Sequence, residues 1–170
     1  KTAYEICVCD WSSDVCSSDL QTHGDVRHMY EMTPETQAIY KNYVELHYAL
    51  MPYMQSCSAR ACETGLPPVR HLVLRDQEDA AVYGVEDEFL LGDALLVAPI
   101  LDEQTFEREV YLPKGSWKNL LTGEVTEGNR TVCVKASLGK IPVFLDMQSK
   151  DAEMLFTIFE SKTWQDICRG

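Results

Sequence analysis

The stretch that most limits what this chain can become is residues 89–101, FLLGDALLVAPIL. It is the longest apolar run in the sequence, and Gly92-Asp93 divides it in two. A run of about four to eight apolar residues bounded by turn signals fits a buried strand. Pro99 closes the second half, because a residue without an N–H ends a central strand or a helix interior. The run predicts a turn followed by a core strand. Signals before it are mainly helical and signals after it are strands and turns, so it marks a joint between two architectures.

The helix before the joint has both ends written in the sequence. Thr33 is an N-cap candidate, Pro34 suits the first helical position, and Glu35 places negative charge where the helix dipole favours it. Ile39, Tyr43, Leu46, Leu50 and Met54 follow three- and four-residue spacing and form one apolar face. Pro52 predicts a kink or restart after residue 51, and Gly65 is the expected C-cap of the second segment. The tyrosines and methionines of this stripe read as core packing. Residues 66–74 read as an extended segment in which Arg70, flanked by apolar side chains, needs a carboxylate; Asp87, Glu88 and Asp93 are the candidates, and a structural ion pair is the expected role.

Past the joint, short alternating runs recur between Gly and Pro turns. They are residues 109–112 before Pro113, residues 117–121 before Thr122-Gly123, Val132 and Val134, then Ile141, Val143 and Leu145. This spacing predicts an antiparallel sandwich. Residues 151–160 read as one more strand, the start of a further β module.

The chain has 170 residues, 45% hydrophobic and 25% charged, enough for a globular core. A net charge of -12 argues against nucleic acid as a partner, since a polyanion is repelled. The sequence contains no apolar stretch of membrane-spanning length and does not open as a signal peptide, so no membrane partner is expected. Residues 1–20 stand apart. Residues 11–20 resemble the conceptual translation of a short-read sequencing adapter, and residues 1–5 the other end of the same oligonucleotide. They are read as a disordered artefact, with more natural protein expected upstream of Gln21. Setting them aside leaves Cys57, Cys62, Cys133 and Cys168 without a C-x-x-C pair, which points to free thiols in a reducing compartment and tilts localisation towards the cytoplasm. Residues 22–28 form a polar loop in which His23 and His28 lack a third ligand at suitable spacing, so no metal is expected.

The motifs in order carry a resemblance. His23-Gly24, Leu50-Met51-Pro52-Tyr53, Gly65-Leu66-Pro67 with Arg70, Leu91-Gly92-Asp93 with Leu96-Val97-Ala98-Pro99, Val110-Tyr111-Leu112-Pro113 with Gly115 and Trp117, Thr122-Gly123 and Ile141-Pro142-Val143-Phe144 resemble the C-terminal part of glycoside hydrolase family 31, the α-glucosidase and α-xylosidase family. The resemblance spans nearly all of residues 21–146. One departure is His71, where many members have proline, a change expected to alter stiffness.

The resemblance implies an α+β fragment. Residues 21–65 would be the end of a (β/α)8 TIM barrel, its last strand end and closing helices, and residues 66–146 the β-sandwich that follows, with residues 147–170 beginning another module. It implies retaining hydrolysis of a carbohydrate α-glycoside by two carboxylates, without metal or organic cofactor. His23 matches the family histidine that hydrogen-bonds sugar in the cleavage subsite. Both catalytic aspartates would lie upstream of Gln21, and Asp25, Asp76, Asp93 and Asp102 match neither motif, so an inactive fragment is expected. The face of Ile39, Tyr43 and Leu50 would have lost its barrel partner and would favour aggregation. The rival reading is a non-catalytic carbohydrate-binding or structural sandwich that stacks sugar on Trp117, Tyr111 or Phe144. Sugar identity and oligomeric state have no signature in the sequence.

Overall fold

A computed structural model describes residues 29–101, 106–137 and 139–169. A short 3-10 turn, Met29–Glu31, leads into helix α1, Pro34–Thr64. Both expected caps are present. The Thr33 hydroxyl accepts from the Thr36 N–H at 3.2 Å, and Gly65, at φ 77°, donates its N–H to the Ala61 carbonyl at 2.8 Å. The expected break at Pro52 does not occur, and α1 runs unbroken for 31 residues. Pro52 and Tyr48 are both exposed, so the carbonyl that loses its helical donor lies on the solvent side, open to water.

The joint folds as a hairpin of two strands, β2 (Phe89–Leu91) and β3 (Leu95–Val97), where one core strand was expected. They belong to a six-stranded antiparallel sheet with β1 (Val69–Arg70), β5 (Ser116–Asn119), β6 (Val125–Glu127) and β8 (Val143–Asp146). The order is β1-β2-β3-β8-β5-β6. A separate pair, β4 (Glu107–Leu112) and β7 (Arg130–Lys135), lies apart. The expected extended segment after Gly65 is strand only at β1. His71 then starts a 3-10 turn, Leu72–Leu74: its Nδ1 accepts from the Val73 N–H, which leaves Nε2 to donate to the Val85 carbonyl.

Both faces of the sheet are buried, which is why the joint reads as a continuous apolar run. Leu91, Leu95, Val97, Val143 and Leu145 face the helices, while Leu90, Leu96, Trp117 and Phe144 face β4 and β7. The expected sandwich is therefore half of a three-layer arrangement, with helices covering the other side. Leu46, Leu50, Tyr53, Met54 and Cys57 of α1 are buried there. This overturns the expectation of a lost partner for Leu50, which is 1% exposed; Tyr43 also turns inward and donates its hydroxyl to the Gly139 carbonyl at 2.9 Å.

Residues 151–160 are not a strand. They contain helix α2, Ala152–Phe159, followed by α3, Lys162–Arg169. Ala152, Leu155, Phe156 and Phe159 recur at helical spacing on the side that meets the core. The Trp164 ring lies edge-on to Phe159, centroids 4.8 Å apart, and donates its indole N–H to the Leu120 carbonyl at 2.9 Å. No helix among the described residues is long and apolar enough to cross a membrane.

Candidate functional site

The hairpin turn at Gly92 is tied to α1 by close packing and by hydrogen bonds. Gly92 has φ 60°, and a Cβ there would lie 2.3 Å from the Tyr53 hydroxyl and 2.5 Å from Cys57 Sγ. Only glycine lets α1 press this close. The Tyr53 hydroxyl donates to the Leu91 carbonyl at 2.8 Å and accepts from the Ala94 N–H at 3.2 Å, bracketing the turn. Burial pushes the Tyr53 phenol well above its ordinary range, with Cys57 adding to the shift, so it stays a neutral donor. Burial also raises the Cys57 thiol, which makes it a packing residue in preference to a nucleophile.

Asp93, beside that glycine, receives Arg70 of β1, which settles the three-way choice of partner. Arg60 of α1 approaches Asp93 at 3.5 Å and Asp151 at 3.0 Å. The cluster ties α1, β1, the hairpin turn and the start of α2 together, and its role is structural.

Glu88 and Arg108 form a second polar cluster, between β2 and β4. Glu88 is 5% exposed; its Oε1 accepts from the Tyr111 N–H at 2.8 Å and lies 3.5 Å from Arg108 Nη2. The local sequence hides this pair, because only the packing of one sheet on the other brings the two residues together. A third cluster places Arg75 over the Trp117 ring at 4.8 Å and against Asp146 at 2.7 Å.

The aromatic platforms of the rival reading are occupied. Trp117 is fully buried and donates its indole N–H to the Pro113 carbonyl at 2.7 Å, and Phe144 is 2% exposed. Tyr111 is half-buried with its hydroxyl on Asp79. Among the aspartates weighed for chemistry, Asp76 pairs with Arg75 and Asp93 with Arg60 and Arg70. His23, His28, Asp25 and Asp102 lie outside the described residues. Cys57, Cys62, Cys133 and Cys168 are free thiols.

A cavity of about 300 Å³ separates α1 from the sheet, lined by Tyr43, Leu50, Leu95, Val143, Phe159 and Trp164 among others. Among the described residues its lining carries no charged side chain. A sugar needs convergent polar partners for its hydroxyls, so this is not a sugar site.

The fold is thus an α+β unit, antiparallel sheets closed by a capped helix, that carries its polar clusters as internal ties. The family model for the glycosyl hydrolase family 31 C-terminal domain matches residues 65–149, and the chain belongs to glycoside hydrolase family 31. It is 38% identical over 113 residues to alpha-glucosidase 2 of Bacillus thermoamyloliquefaciens, covering 66% of this chain and 14% of that protein. With the sulfoquinovosidase of Escherichia coli (strain K12) it shares 31% identity over 154 residues, 88% of this chain and 22% of that one. Among solved structures, the GH31 alpha-xylosidase from a soil metagenome, complexed with xylose, superposes with a TM-score of 0.72 at 31% identity, covering 78% of this chain and 20% of that chain. The chain thus spans between 14% and 22% of the length of these two curated relatives.

Proposed function

We propose that this chain is the C-terminal region of a retaining α-glycoside hydrolase acting on carbohydrate, with residues 21–65 closing a (β/α)8 barrel and residues 66–146 forming the appended β domain. The observation that carries the reading is the family match, which begins where α1 ends. Val44 and the exposed Tyr48, one turn apart on α1, lie off the sheet-facing side; this reading gives that surface to the barrel.

The chemistry would be double displacement. One carboxylate attacks the anomeric carbon while another protonates the leaving oxygen and then activates water, at a separation of about 5 Å. Neither group is assigned to this chain, so the chain alone is inactive in this reading. His23 would hydrogen-bond the sugar in the cleavage subsite. No metal or organic cofactor takes part.

The test is to recover the intact gene from the same source and assay its product on a panel of nitrophenyl α-glycosides. Turnover that is lost on replacing the two upstream aspartates, and weakened by His23→Ala, supports the reading. A gene without a barrel before Gln21, or an inert product, overturns it.

A further inference from the structure

We infer that Glu88 is a proton-operated latch between the two sheets: with its carboxyl neutral, the β4–β7 pair is held over the six-stranded sheet, and ionisation weakens that hold. This inference is independent of the hydrolase reading.

The geometry is that of a carboxyl buried without enough donors. Glu88 stands at the entrance to β2, and among the described residues its Oε1 accepts a close hydrogen bond from the Tyr111 N–H and a long one, at 3.5 Å, from Arg108 Nη2. The other oxygen, Oε2, is fully buried and has no hydrogen-bond partner among the described residues. As a carboxylate, that oxygen would carry negative charge with nothing to solvate it. The charged groups acting on Glu88 are Arg108 from β4 and Asp87 beside it, while β7 contributes the apolar Val134 to this layer.

Arg108 is poorly placed to rescue the charge. Its Nη2 lies 2.8 Å from Asp87 Oδ2 but 3.5 Å from Glu88 Oε1. Its Nη1 donates to the Asp87 and Pro99 carbonyls, and its Nε to the Glu109 carbonyl. Burial accordingly pushes the Glu88 carboxyl up from 4.5 to about 7, against the opposing pull of the Tyr111 N–H and Arg108. A folded-state value above the unfolded one means that the closed form binds the proton more tightly. Its advantage is complete below about 4.5, declines as pH rises, and is lost above about 7.

Amide hydrogen exchange on the full 170-residue chain and on Glu88→Gln tests this. Glutamine keeps an oxygen for the Tyr111 N–H and cannot ionise. The ratio of parent to variant exchange rates cancels base catalysis. For β4 and β7 amides it should rise on the order of a hundredfold between pH 4.5 and 8.5, level off above pH 7, and exceed any rise in β3 and β8. A flat ratio, a ratio that falls with pH, or an equal rise in β3 and β8 overturns the latch. Should Glu88→Gln fail to fold, the side-chain carboxyl carbon of Glu88 can be titrated by NMR in the parent chain and in Asp87→Asn, a change at a half-exposed residue. The parent midpoint should fall near 7 and move lower in Asp87→Asn, which removes a neighbouring negative charge and frees Arg108. A parent midpoint below about 5, or no movement, refutes it.

Discussion

The helical side of the six-stranded sheet leaves a cavity of about 300 Å³, whereas the side under β4 and β7 buries Leu90, Leu96 and Trp117 completely and also carries the buried carboxyl groups of Glu88 and Asp146. Away from the Arg60–Asp93–Asp151 cluster and the Tyr53 contacts at the Gly92 turn, the first side is apolar and loosely filled; the second is close-packed and polar at its edges. Stiffness and specificity therefore belong to the sheet-on-sheet side, and tolerance belongs to the helix-on-sheet side.

Single substitutions can break or sharpen that contrast, read as shifts in urea-unfolding free energy. Trp117→Ala should be the most damaging, at about 3–5 kcal/mol, because it opens a void in the tight layer and strands the Pro113 carbonyl. Leu50→Ala, beside the existing cavity, should cost less than Trp117→Ala, near the ~2 kcal/mol end of the large-to-small range; equal costs would erase the contrast. Gly92→Ala should cost about 2–4 kcal/mol, from the left-handed φ and the collision with Tyr53 and Cys57. Tyr53→Phe should lose about 1–3 kcal/mol by leaving the Ala94 N–H and the Leu91 carbonyl unpaired. Val143→Ile, which adds one methylene towards the cavity, should be the mildest and stabilise by about 0.5–1 kcal/mol; a destabilising result would mean that the cavity is not available to be filled.

The legible parts of this fold are those whose signals are local. Helix α1 announces its ends through Thr33, Pro34 and Gly65, and its sheet-facing side through Leu46 and Leu50. The strands around Tyr111, Trp117 and Val134 show their alternation. Pro52 was misleading because sequence does not say which side of a helix meets water. Residues 155–159 were misleading because a short apolar cluster fits either period, and only packing against Leu120 and the sheet selects the helical one. The Glu88–Arg108 pair joins residues distant along the chain and has no pattern to read. Arg70 shows an intermediate case: its need for a carboxylate was legible, but the choice of Asp93 depended on the hairpin turn. The assignment of His23 rests on family resemblance and has no local signature of its own.

The place of β8 in the sheet sets an order of assembly. Its residues Phe144 and Leu145 pair with Leu96 and Leu95 on one side and with Asn119 and Lys118 on the other, so the last strand in sequence is the middle of the finished sheet. Non-local pairing of this kind carries the loop-closure cost before it brings any gain. During synthesis, therefore, the β1–β2–β3 and β5–β6 units wait as two separate ribbons, each with an open edge, until the ribosome has released Asp146 and the strand between them can close the gap.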